Sequence, residues 1–155
     1  MTANGAGAGQ DDTPFRVTAY PLPRFVSLSS DEVFVRTGPG QRYPVRWAFK
    51  KDGLPVEIIL EYDIWRKIRD HDGEEGWVHK SLLSGRRTAL ITGESPASLY
   101  RKPDENSRLS ARLEPGVLVS VKSCGGVWCN INTMGYEGWA KQNVLWGVYE
   151  NEIFD

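Results

Sequence analysis

The chain states nearly the same pattern twice. Residues 24–83 realign onto residues 87–145 at an offset of 62 to 64 positions. Phe25-Val26-Ser27-Leu28 falls on Thr88-Ala89-Leu90-Ile91, and Val45, Trp47 and Phe49 fall on Leu109, Ala111 and Leu113. Gly53 falls on Gly116, Trp65 on Trp128, and Gly76-Trp77 on Gly138-Trp139. The offset drifts only at turns, so the chain holds two copies of one small unit. Each copy is about 60 residues, a size at which a lone core is marginal. Only Ser84-Gly85-Arg86 lies between them. That is too short for a flexible tether, so the copies are expected to dock.

The local pattern is that of strands. Leu54, Val56, Ile58 and Leu60 alternate with Pro55, Glu57, Ile59 and Glu61, and Val117, Val119 and Val121 repeat this in the second copy. Turn clusters such as Thr37-Gly38-Pro39-Gly40, Asp70-His71-Asp72-Gly73 and Glu114-Pro115-Gly116 punctuate the runs. No segment keeps helical periodicity over three turns. Lys80 to Leu83 and Gln142 to Leu145 have room for one short helical turn each. The expected fold is all-β: two docked barrels of five to six strands. The expected organisation is a disordered lead over 1–20, barrel one over 21–84, barrel two over 85–147 and a tail over 148–155.

The order of motifs carries a family resemblance. Val35-Arg36-Thr37-Gly38-Pro39-Gly40, Gly53, Trp65, Gly73-Glu74-Glu75-Gly76-Trp77-Val78 and Leu82-Leu83 together resemble a bacterial SH3-like (SH3b) domain. The second copy keeps Leu99-Tyr100-Arg101, Gly116, Trp128, Gly138-Trp139 and Val144-Leu145 but has Arg101-Lys102-Pro103-Asp104 in place of the first loop. In tandem form the chain resembles bacterial cell-envelope proteins. The resemblance implies a non-enzymatic module that holds peptidoglycan or its peptides, in a periplasmic or extracellular setting. The alternative is an adaptor for extended or proline-rich protein segments, for which Pro21-Leu22-Pro23-Arg24 is a conceivable self-ligand, although a stiff linker is the plainer reading. A cytoplasmic setting is the alternative location.

Composition narrows the partners. Nineteen basic and twenty acidic residues give a net charge of −1. That leaves no electrostatic footprint for nucleic acid. No run approaches the roughly 20 apolar residues of a membrane helix. The opening Met1 to Gly9 lacks the basic and apolar regions of a signal peptide.

Candidate site residues follow from the repeat. By similarity to eukaryotic SH3 domains, the tryptophan that opens its strand lines a ligand groove. This makes Trp65, with Tyr43, Tyr62 and His79 near it, and Trp128 with Tyr100, the groove candidates. Indole offers large area, few rotors and one N–H. The other reading for Trp65 and Trp128 is core. Trp77 and Trp139 are expected in the shared core. Trp47 or Trp146 is the candidate for the seam between copies.

Cys124 and Cys129 occupy the positions held by Glu61 and Arg66 in the first copy. An ion pair in one copy and a cysteine pair in the other mark two positions facing across a hairpin. A disulfide is the expectation. Two buried thiols and a metal half-site are the alternatives, but both histidines lie in the other copy. No metal and no cofactor is expected. Catalysis has a poor inventory: the cysteines have no histidine in their own copy, and the carboxylates of the 70–75 turn sit on one hairpin tip.

Overall fold

The computed structural model describes residues 16–155; residues 1–15 of the expected lead lie outside the described residues. Strands β1 (Arg24–Leu28), β2 (Val33–Arg36), β3 (Val45–Phe49), β4 (Pro55–Tyr62), β5 (Trp65–Arg69), β6 (Glu75–His79) and β7 (Leu83–Ser84) form the first sheet. Strands β8 (Thr88–Ile91), β9 (Ala97–Tyr100), β10 (Leu109–Leu113), β11 (Leu118–Gly125), β12 (Trp128–Thr133), β13 (Tyr136–Lys141) and β14 (Leu145–Trp146) form the second. The order is β3-β2-β6-β5-β4-β1-β7 in one and β10-β9-β13-β12-β11-β8-β14 in the other. Equal order and equal register confirm the repeat: Val35 faces Trp47 as Leu99 faces Ala111.

The first sheet has one strand, and the second two strands, more than the six that the sequence suggests at most. The expected helical turns are single 3-10 turns, Lys80–Leu82 and Gln142–Val144. Each is followed by a two-residue strand on the first strand of its barrel, too short to show a period in sequence. The tail is not free either: Ile153–Phe154, β15, pairs with the end of β11.

The cores are two separate clusters. Val26, Leu28, Val33, Val35, Val56, Ile58, Ile68 and Val78 fill barrel one, with Leu22 packed on its flank. Pro21-Leu22-Pro23 is therefore part of the barrel wall. Ala89, Ile91, Leu99, Val119, Val121, Cys124, Cys129, Ile131 and Ala140 fill barrel two.

Simple alternation fails at one place in each copy. The pairing of β4 with β5 shifts register between Ile58 and Leu60, and that of β11 with β12 between Val121 and Ser123. A bulge inserts a residue and reverses which face follows. Leu60 is consequently half-buried, and Glu61 points inward at 0% exposure. Glu61 and Arg66 do face each other, as do Cys124 and Cys129. The first pair is buried rather than a surface pair. The second is a disulfide, with Cα atoms 4.1 Å apart.

A buried carboxylate needs partners. Glu61 Oε1 accepts from the backbone N–H groups of Val17 and Thr18, each at 2.8 Å. Thr18 Oγ1 donates to Oε2 at 2.7 Å, Arg24 stands 3.0 Å away and Arg66 Nε 3.7 Å. The expected mobile lead is thus tied down at residues 17 and 18. Cys124 meets the opposite terminus, because it is in register with Phe154. The two hairpins therefore anchor one end of the chain each.

The barrels dock through residues on their outward faces. Phe25 alternates with core Val26 and projects against Trp146 (ring centroids 5.1 Å) and Tyr149 (4.6 Å). Thr88 Oγ1 donates to Gly53 O, Ser27 Oγ to Arg86 O and Tyr149 Oη to Glu57 Oε2, all at 2.7 Å. Burial and the Glu57 contact raise the Tyr149 phenol above its ordinary range. Trp146 is the seam tryptophan; its ring also lies 5.5 Å from His71. Trp47 is not in the seam. It packs edge-on to Phe49 beside the barrel-one core, because its place opposite Val35 turns it inward.

Two stability outcomes follow. Burial alone would raise the Glu61 pKa, but the bonds from Thr18, Val17 and Arg24 overcome it and hold it at about 2, against 4.5 when free. A depressed carboxylate stabilises the fold above its unfolded pKa and loses that contribution as pH falls through the folded one. Urea unfolding followed by tryptophan fluorescence should therefore show about 3 kcal/mol disappearing between about pH 4.5 and pH 2. Glu61→Gln should flatten that dependence. In barrel two, the disulfide closes a loop of only a few residues. Replacing both cysteines by alanine should cost about 2 kcal/mol from lost cross-linking. A denaturation midpoint unchanged from the parent would contradict this.

Candidate functional site

The residues that could meet a ligand lie on the face of each sheet that points away from its core. On β5, Ile68 is in the core, so Trp65 and Lys67 point outward; on β6, Val78 is in the core, so Trp77 and His79 point outward. Register brings Trp65 opposite His79, Lys67 opposite Trp77 and Arg36 opposite Trp77. Barrel two repeats this with Trp128 opposite Lys141, Asn130 opposite Trp139 and Tyr100 opposite Trp139.

The glycine before each outward tryptophan has a packing reason. A Cβ on Gly76 would stand 2.3 Å from Val35 Cγ1, and one on Gly138 would stand 2.6 Å from Tyr100 O. Only glycine lets β6 and β13 pass this close to β2 and β9. The following tryptophans are held on the opposite face. Trp77 is buried, as the sequence expectation has it, but on the face opposite the central cluster, whereas Trp139 is not a core residue, contrary to that expectation. Trp77 is buried and Trp139 half-buried, both outside the core clusters. The signal was present: Val78 and Ala140 face inward, so period two sends their preceding neighbours out.

In barrel one the expected residues converge in part. Trp65 is 8% exposed, and its ring meets His79 edge-on at 5.4 Å. His79 Nδ1 accepts the backbone N–H of Ser81, which orients the imidazole at the start of the 3-10 turn. Tyr62 is opposite Trp65 in register and 47% exposed. Arg42 covers the Tyr43 ring at 5.2 Å and donates to its hydroxyl at 3.3 Å. That bond to Tyr43 raises the Arg42 pKa. Gly38 underlies the Tyr43 ring, where a Cβ would stand 2.5 Å away.

The barrel-two face is more open at its tryptophan. Trp128 is half-buried; Tyr100 meets it edge-on at 5.7 Å, and Lys141 Nζ lies 5.4 Å from its ring centroid. Beside them is a depression of about 320 Å³ lined by Arg101, Ser110, Asn130, Glu137, Gly138 and Trp139. Asn130 Oδ1 is buried there without a hydrogen-bond partner among the described residues. Sequence reasoning missed Asn130, although period two puts it on the face of Trp128, and it missed Trp139 and Lys141, which only cross-strand register brings there. Among the described residues no cluster of three or more His, Cys, Asp or Glu side chains is placed to hold a metal ion.

Two small barrels in tandem, each with an aromatic outward face, define a class of modular binding fold. The chain belongs to the bacterial SH3 domain family, whose sequence model matches it twice, at residues 29–85 and 93–147. Among curated proteins it is similar to YrvJ of Bacillus subtilis (strain 168), by name a candidate N-acetylmuramoyl-L-alanine amidase. The two are 24% identical over 128 residues, which is 76% of this chain and 24% of that protein. The chain thus spans about a quarter of the curated relative's length. Among solved structures it is similar to NlpC1 of Trichomonas vaginalis (17% identity, TM-score 0.37, 83% of this chain and 47% of that one). NlpC2 of the same organism compares at 18% identity and TM-score 0.37, over 83% of this chain and 49% of that one.

The difference between the two tryptophans is measurable. Trp65→Ala should cost about 3 kcal/mol, near the penalty for a packed aromatic, whereas Trp128→Ala should cost about 1 kcal/mol. Equal penalties in urea unfolding would mean that Trp128 is packed as tightly as Trp65.

Proposed function

We propose that this protein is a non-catalytic module that binds peptidoglycan or its attached peptides in the cell envelope, outside the cytoplasm. The observation that carries the reading is Asn130. Its Oδ1 is a buried acceptor without a donor, beside Trp139 on the outward face of barrel two. A buried unpartnered acceptor calls for an explanation, and a ligand N–H is one. Peptides and acetamido sugars both bring amide N–H groups next to small apolar faces, which suits an indole wall.

Trp128, Tyr100 and Lys141 would form the rest of the barrel-two subsite. Trp65, Tyr62, Tyr43 and His79 would form its counterpart in barrel one. Family membership and similarity to a protein named for an amidase of muramoyl-alanine bonds support a wall partner. The disulfide supports an oxidising compartment. Among the described residues no helix is long and apolar enough to cross a membrane. The adaptor reading remains the alternative; in the Pro21-Leu22-Pro23 segment Leu22 packs against the barrel-one core while both prolines are exposed.

Cosedimentation with purified sacculi tests the proposal. Retention should survive moderate salt, because the contacts are aromatic and hydrogen-bonded. Trp128→Ala and Asn130→Ala should each weaken it by about tenfold, the effect of losing one central contact. A parent protein left in the supernatant would overturn wall binding.

A further inference from the structure

One concavity among the described residues lies off both aromatic faces. It is a cleft of about 760 Å³ at the seam, walled by residues of both copies and of the last strand. This is the volume of a small-molecule site, and such sites favour domain junctions. Phe25, Tyr149 and Phe154 supply apolar wall. Arg24, Arg66, Lys80 and Arg87 supply charge, against Glu152 as the one carboxylate in the lining. Glu61, beneath Arg24 and Arg66, adds a second. Four cations against two carboxylates leave the cleft positive in a chain whose net charge is −1.

Part of this charge is already engaged. Arg87 grips Glu152 with both terminal nitrogens at 2.9 Å, donates to Gly147 O and lies over Phe154 at 4.3 Å. Its Nε is nevertheless buried with no acceptor among the described residues. Arg66 spends one nitrogen on the carbonyls of Asp63 and Trp65, at 2.8 and 2.9 Å. Lys80 has no ion pair among the described residues.

We infer that the seam cleft is a binding site for the carboxylate end of a short peptide with small apolar side chains. The carboxylate matches the spare donors of Arg87, Arg66 and Lys80, since guanidinium and ammonium groups bind it by charge-assisted hydrogen bonds. The aromatic wall takes the methyl-sized side chains. The site exists only because the barrels dock, so neither copy alone would hold it. The inference does not rest on the aromatic faces or on wall binding.

The test is NMR titration of the full ¹⁵N-labelled chain with N-acetyl-L-alanyl-L-alanine and with its C-terminal amide. The acid should shift the Arg87 Nε–Hε signal and the amides of Phe25 and Tyr149 saturably. The amide should bind at least about tenfold more weakly, the worth of a charged hydrogen bond. Lys80→Glu, at an exposed unpaired position, should weaken the acid by at least about fivefold without disturbing the fold. Arg87→Lys keeps the charge, removes the Nε donor and should also weaken it. Equal binding of acid and amide, shifts confined to the Trp128 face, or no saturable shift would overturn the inference. Sacculus retention without a cleft response removes the cleft and leaves wall binding standing; a cleft response without retention does the reverse.

Discussion

One bulge in the longest strand of each barrel governs much of the rest. Between Ile58 and Leu60, and again between Val121 and Ser123, one extra residue turns the strand's inward face over. What then points inward is Glu61 in one copy and Cys124 in the other. Both positions lie at the closed end of a barrel, where a buried group must be matched across the hairpin. Charge is matched by charge in barrel one and sulfur by sulfur in barrel two.

These matched pairs also decide where the chain ends are held. A buried carboxylate cannot be satisfied by Arg66 alone at 3.7 Å, so it recruits Arg24 and the backbone of residues 17 and 18. The disulfide asks for nothing further, and the strand edge beside it is left to take up Ile153 and Phe154. The last strand then brings Glu152 to Arg87, and Arg87 to the seam. Two chemically different solutions at one repeat position thus lead to two ways of closing the molecule.

Docking gives the pair a surface that neither copy has. Phe25, Trp146 and Tyr149 lie outside the cores and would be exposed in an isolated barrel. Burying them against each other compensates for the small cores expected of 60-residue units. The aromatic outward faces remain on their own sheets. The proposed recognition there and the proposed binding at the seam are therefore separable by mutation.

The repeat, the strand content and the facing of Cys124 with Cys129 were legible in the residues, because each depends on local period or on register between copies. Trp65 with His79, and Trp128 with Tyr100, were legible for the same reason. The inward turn of Glu61 was not, since a bulge reverses the alternation from which burial is read. Trp139 was misread as core, although the inward Ala140 beside it already implied the other face; Trp77 is buried, but on that same outward face. Asn130 was overlooked, although it lies two residues after Trp128 on one strand face. Lys141 beside Trp128 and the seam cleft required tertiary structure. Their neighbours come from other strands or the other barrel, and a spacing along one chain does not encode a distance between strands that meet only on folding.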